Sequence, residues 1–178
     1  MHFESLDQYN SLQTPEIDTN QVSCKYVFEL TPKELEFIVN KSESNRSLEY
    51  HDANYFQQKA ASGAMLLKQW DELVGFIFEH NYIYQGEPIS ERWTLWVSPK
   101  LRGQKMGAFL MHSMTDKIRD KPLMSVTNVP VVQHINQTIM DFEVICPEWS
   151  FRSLVEEWWP IHDNYRIFIN NKFHDLLS

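Results

Sequence analysis

Cysteine, glycine and long apolar runs are all scarce in this chain, with two cysteines and five glycines among 178 residues. Cys24 and Cys146 stand far apart, with no CxxC pair and no Cys/His cluster. That argues against a structural zinc site and a disulfide framework, so a reduced, cytoplasmic setting is expected. The first residues, MHFESLDQYNSLQ, carry neither the basic nor the apolar region of a signal peptide. No apolar run approaches a membrane span, so no membrane partner is expected. Positive charge is also in deficit: 16 basic against 24 acidic side chains leave a formal charge of -8. This disfavours a broad nucleic-acid-binding face and suits a cationic or amine partner, though it serves solubility equally well. A Gly-x-Ser-x-Gly elbow is missing, which removes support for hydrolase chemistry. His51-Asp52 and His162-Asp163 lack a third ligand at sensible spacing, so no metal is expected and both read as surface turns.

What is present is enough for one sizeable core. Residues 1–20 are polar and aperiodic and read as an arm; residues 21–178 read as a single domain. Val22 to Leu30 alternates as a strand. Thr31-Pro32-Lys33-Glu34 supplies an N-cap, a proline at the first helical position and an acidic first turn, opening a helix to about Lys41 with Leu35, Ile38 and Val39 inward. A second helix is expected from Asp52 to Ala61. Ala64 to Gln69 and Leu73 to Tyr84, joined at Asp71-Glu72, read as a hairpin. Further strands are expected at Glu91 to Val97, Leu123 to Thr127 and Tyr165 to Ile169. Helices are expected from Gln104 to Arg119 and from Pro130 to Phe142. The order predicts an α/β fold, a three-layer mixed sheet, antiparallel then parallel, flanked by helices. An aromatic-rich elaboration at about 146–160 holds Trp149, Phe151, Trp158 and Trp159, and suits core packing, an apolar acceptor or acyl pocket, or a homodimer contact.

The stretch Leu95 to Met114, LWVSPKLRGQKMGAFLMHSM, carries the chemistry. A strand end, a basic turn with Gly103 and Gly107, and an apolar-periodic helix form a site for a phosphate-bearing ligand, because backbone N–H groups and the helix dipole converge there. Val97-Ser98-Pro99 followed by Arg102-Gly103-Gln104-Lys105-Met106-Gly107 resembles the acyl-CoA loop of the Gcn5-related N-acetyltransferases (GNAT). The one departure is Lys105, where that family usually has its first loop glycine. The resemblance spans roughly residues 22–142 in element order and 97–111 in motif.

The resemblance implies an acyl-CoA-dependent N-acyltransferase that moves an acetyl group from acetyl-CoA, without a metal, to the amine of a small molecule or protein. Trp96, Val97, Arg102, Gly103, Gln104, Lys105, Met106, Gly107 and Ala108 would bind the co-substrate. Many relatives place a Glu base four residues before the strand's terminal Val, but here that position is Trp93. Glu91 is the substitute base, with His80 (and Glu79 beside it) at the end of the preceding strand. The usual acid is a Tyr on the helix after the fifth strand, yet no Tyr lies between Gln85 and Asn164; His134 is the candidate acid. Two rival readings are a non-catalytic interaction or structural protein that keeps the fold, and an acyltransferase for longer chains.

Overall fold

The computed structural model describes residues 22–45, 48, 50–145 and 165–177. The expected arm (1–20), His162-Asp163 and the elaboration at about 146–160 lie outside them. In chain order the elements are β1 (Val22–Val27), α1 (Pro32–Ser44), α2 (Ala53–Ala60), β2 (Ala64–Gln69), β3 (Glu72–Tyr84), β4 (Glu87–Val97), a 3-10 turn (Pro99–Leu101), α3 (Met106–Ile118), β5 (Leu123–Thr127), α4 (Pro130–Thr138), β6 (Glu143–Ile145), β7 (Arg166–Ile169) and α5 (Asn171–Leu177).

The local chemistry accounts for these boundaries. Thr31 and Glu34 form a reciprocal capping box at the start of α1, with Thr31 N–H donating to Glu34 Oε2 at 2.8 Å. Lys68 Nζ lies 2.7 Å from the other Glu34 oxygen. Asp52 caps α2 through Tyr55 N–H at 2.8 Å. Both hairpins turn on residues with positive φ, Trp70-Asp71 at 52° and 63° and Gln85-Gly86 at 51° and 85°, as two-residue turns matching strand twist require.

Seven strands form one mixed sheet in the order β1-β2-β3-β4-β5-β7-β6. The first pairs are antiparallel, β4 and β5 run parallel through Ser90↔Leu123 and Glu91↔Met124, and β7 is antiparallel to both β5 and β6. This is the expected α/β class. Several bounds differ from the sequence reading. β4 begins at Glu87, and α4 ends at Thr138 because Asp141 turns at φ 54°, where Phe142 N–H donates to the Asn136 carbonyl at 3.0 Å. The short β6 and α5 are additional elements.

By contacts the chain divides into two units, 1–80 with 92–117 and 81–91 with 118–178, so β3 and β4 contribute to both. The first unit's core is a row of buried rings, Phe56, Phe76, Phe78, Trp93 and Trp96, together with Ile38, Leu66 and Met106. Each such side chain contributes about 1.5–3 kcal/mol on burial. The second unit packs Tyr84, Ile89, Met124, Val126, Ile167, Ile169 and Phe173. There Asn170 accepts from Leu123 N–H and Phe173 N–H, both at 3.0 Å, fastening α5 to β5. No helix among the described residues is long and apolar enough to cross a membrane.

Glycine is required where a side chain would collide. A Cβ on Gly63 would lie 2.0 Å from Tyr26 Oη and 3.0 Å from Glu79 Oε2, at a φ of 139°. A Cβ on Gly107 would meet only Val97 Cγ2 at 4.0 Å. Gly63→Ala is therefore expected to cost about 1–3 kcal/mol in denaturant unfolding. Gly107→Ala should be neutral or stabilising by about 1 kcal/mol, since alanine is the better helix former. Equal losses at both positions would contradict this.

Candidate acyl-CoA site

The site is built on the end of β4. Trp93 and Trp96 are three residues apart, so regular strand alternation would send them to opposite faces. Both are buried in the same ring row, Trp93 at 6.0 Å from Phe78 and Trp96 stacked at 5.7 Å on Phe76, whose own rings are 5.9 Å apart. The odd spacing is absorbed at Thr94, a β-branched residue at φ 53°. A left-handed residue inside a strand inserts one extra position, as in a bulge, and re-aims the side chains beyond it. Strain of this kind, of order 1–3 kcal/mol, collects at functional sites. Phe37 meets Trp96 edge-on at 5.5 Å, and Lys41 Nζ lies 5.6 Å from the Trp96 ring. Gly75 admits the close approach of β3 here, since a Cβ would sit 3.1 Å from the Trp96 carbonyl oxygen. Ser98 N–H donates to the Val74 carbonyl at 2.8 Å.

Beyond Val97 the chain makes a single 3-10 turn and then a loop with two left-handed residues, Gly103 at φ 76° and Lys105 at φ 60°. Lys105 thus adopts the backbone conformation that a glycine would favour at its position. Its carbonyl accepts Phe109 N–H at 2.9 Å, making it the first residue bonded into α3. The N–H groups of Met106, Gly107 and Ala108 come next at the helix start, where no carbonyl lies one turn earlier. Arg102 and Gly103 are exposed, and nothing lies within 4 Å of a Cβ built on Gly103. Two cationic side chains, open backbone and a helix N-terminus fit a pyrophosphate. Of the residues expected to bind it, Trp96, Met106 and Ala108 are buried, while Arg102 and Gly103 are exposed.

The candidate catalytic residues have different surroundings. Glu91 is fully buried on β4 and accepts the Tyr82 hydroxyl at 2.8 Å, within the second unit. It is no solvated strand end. His134 is exposed on α4, and its carbonyl accepts the Thr138 hydroxyl at 2.6 Å. Asn136 on the same helix is buried and donates to Ser125 Oγ at 3.1 Å. His80 lies in the first unit, with Lys59 Nζ 2.8 Å from its Nε2. Burial first, and the Lys59 charge second, push His80 from 6.5 down to about 4.

Trp93, at the expected base position, is the hub of a ring cluster. His51 is 5.8 Å from it, Tyr55 5.8 Å, Phe56 6.4 Å and His80 6.2 Å. His51 stacks on Tyr55 at 3.7 Å, so it belongs to this cluster rather than to a surface turn. Nearby, Glu79 is buried and accepts the Tyr26 hydroxyl at 2.7 Å. Burial and this carboxylate hold Tyr26 well above the usual phenol range. On the α3 side, fully buried Arg92 donates to Thr115 Oγ1 at 3.0 Å; burial draws it down to about 9, still charged at neutral pH. Burial likewise pushes the Cys24 thiol up to about 12, removing it as a nucleophile despite a hydrogen bond from Ser113.

Sequence reasoning missed the Thr94 bulge, the Tyr82–Glu91 pair and the Lys59–His80 pair. The spacing of Trp93 and Trp96 within one strand was the only signal for the first.

The sequence matches no protein-family model and no curated protein. Solved structures do match. Naa50 of Arabidopsis thaliana, bound to a CoA bisubstrate analogue, superposes with a TM-score of 0.59 at 17% identity over 84% of this chain and 97% of that one. NAA60 of Arabidopsis thaliana in complex with acetyl-CoA gives 0.60 at 10% identity over 84% and 98%. A Desulfovibrio desulfuricans protein described as of the GNAT family gives 0.62 at 11% identity over 84% and 98%. The chain therefore has the GNAT acyl-CoA N-acyltransferase fold.

The His80 environment has a measurable consequence. A folded value near 4 against 6.5 unfolded means the unfolded chain binds more protons between those limits. Stability should then fall as pH drops through that window and level off below it. Lys59→Met should raise the His80 midpoint, followed by NMR titration of the ring; an unmoved midpoint would refute the coupling.

Proposed function

We propose that this protein is an acyl-CoA-dependent N-acyltransferase, acetylating the amine of a small molecule or protein. The observation that carries the reading is the junction of a bulged strand end with the Arg102–Ala108 loop and helix start. Arg102, Lys105 and the N–H groups of Met106, Gly107 and Ala108 would hold the pyrophosphate. Backbone groups of Trp96 and Val97 would take the pantetheine arm. Known structures of the same fold hold acetyl-CoA or CoA analogues, which supports this assignment.

For the chemistry, the Tyr82–Glu91 pair is preferred. An amine must lose a proton before it attacks the thioester, and the leaving thiolate must gain one. A buried carboxylate bonded to a phenol supplies an acceptor and a donor in one place. Glu91 is then the base and Tyr82 the acid, a role for which His134, exposed on α4, is the other candidate. His80 is a weaker base for an external amine because its Nε2 already faces Lys59.

The rival reading, a non-catalytic protein on the same fold, draws on Trp93, whose ring cluster fills the expected base position. Thermal shift separates the two through ligand linkage. Acetyl-CoA should raise Tm for the natural chain and not for Gly107→Trp. No shift at millimolar acetyl-CoA would refute the co-substrate assignment. Given binding, thiol release with an amine panel should fall about 10²–10⁴-fold in Glu91→Gln, with acetyl-CoA affinity kept. An acyl-chain series tests the longer-donor alternative.

Lys105 yields a separate expectation. Lys105→Gly should relieve about 1–2 kcal/mol of left-handed strain, partly offset by chain entropy. It should also weaken acetyl-CoA binding and flatten its salt dependence, read by titration calorimetry at two ionic strengths. Unchanged affinity and salt slope would show that the ammonium takes no part.

A further inference from the structure

Lys41 is half-buried in the last turn of α1, and its ammonium is held over two aromatic faces. Nζ lies 5.1 Å from the Phe37 ring, one helical turn back, and 5.6 Å from the Trp96 ring. The two rings meet edge-on at 5.5 Å and 71°, so they form a corner around the charge. Aromatic faces attract a cation through their quadrupole, but they leave its N–H donors unspent. Lys68 and Lys59, also half-buried, spend theirs on Glu34 at 2.7 Å and His80 at 2.8 Å. The Lys41 side chain has no hydrogen bond or ion pair with any described residue. A lysine that only covered apolar surface would carry its ammonium past the rings into water. Here the rings fix the charge, and its donors meet no acceptor among the described residues.

Trp96 directly precedes Val97, and on the acyltransferase reading the backbone of both takes the pantetheine arm. That reading assigns the pyrophosphate to Arg102, Lys105 and the start of α3, which leaves Lys41 without a role. The chain as a whole carries a formal charge of -8, so a carboxylate approaching it needs a local cation. We propose that Lys41 is a specificity residue for the acceptor: the amine that receives the acyl group also bears a carboxylate, which takes the Lys41 donors. The inference rests on the acyltransferase reading. Hydrogen bonds between an ammonium and a carboxylate are charge-assisted and short, so they select strongly for that group. Because the rings already confine the ammonium, little side-chain freedom is left to lose when the carboxylate arrives. The acceptor is then a small amino carboxylate, and a simple amine or polyamine lacks the group the site reads.

The test is thiol release by the full chain with acetyl-CoA and ω-amino carboxylates of increasing length, from glycine upward. Each is paired with its carboxamide, and thermal shift by acetyl-CoA runs in parallel. At the best length the carboxylate should exceed its amide about tenfold in kcat/KM, carried by KM. Lys41→Met keeps an apolar stem over the rings and should bring that ratio to about one, whereas Lys41→Arg should retain it. A loss of packing alone would move both members of each pair together. Acetyl-CoA binding with no carboxylate preferred over its amide, or with a preference that survives Lys41→Met, would overturn the inference and leave the parent reading intact. A Lys41-dependent preference for succinyl-CoA over acetyl-CoA would also overturn it, by moving the carboxylate to the donor. No acetyl-CoA binding would overturn both readings.

Discussion

Two tryptophans three residues apart on β4 are both buried in the same ring row, and Thr94 makes that arrangement possible. The strand must gain one residue between them, and a left-handed backbone supplies it. Trp93 then joins Phe56 and Phe78, while Trp96 joins Phe76 and Phe37. The burial of two indoles outweighs the strain of one β-branched residue, since each large ring contributes about 1.5–3 kcal/mol and the strain costs about as much once. The strand end from Leu95 onward inherits its direction from that balance. Val97, the 3-10 turn and the start of α3 are positioned by it in turn.

The loop repeats the same trade on a smaller scale. Lys105 is left-handed where glycine would be easiest, and it stands where α3 begins. A lysine can hold this conformation because the turn before it and the helix after it fix both flanks. In exchange, the chain carries a cationic residue immediately before the first N–H groups of α3. The departure from the glycine pattern thus leaves the loop's backbone conformation in place and adds a charge to it.

Much of the fold was legible because its signals are local. Thr31, Pro32 and Glu34 announce α1 through cap chemistry, and the alternation of β2 and β3 around a polar turn announces a hairpin. The loop motif was legible for the same reason. The misses are non-local. Nothing about Thr94 as a residue type signals positive φ; only the fate of two tryptophans forces it. β3 runs to Tyr84 as expected, but the partners of Glu79 and His80 within it, Tyr26 and Lys59, are distant in sequence and left no local signal. His51 looks like a turn residue until Tyr55, one helical turn on, stacks against it. Glu91 could be singled out as a carboxylate, but its Tyr82 partner depends on how β3 and β4 pair across the Gln85-Gly86 turn.

The middle of β3 shows why these misses cluster. Four successive residues there each have a side-chain partner: Glu79 with Tyr26, His80 with Lys59, Asn81 with Ser90 and Tyr82 with Glu91. The residues before them, Leu73 to Phe78, are almost wholly apolar and buried. A core built for stability alone would continue that apolar run, since an unmatched polar group there costs about 1–3 kcal/mol. Matching removes the penalty without recovering what apolar burial would have contributed. Gly63 shows how far the matching constrains the backbone, because its lack of a side chain is what lets the Tyr26–Glu79 pair close against it. Polar pairs held at such a cost give β3 a matched polar segment at positions where apolar burial would have contributed more to stability.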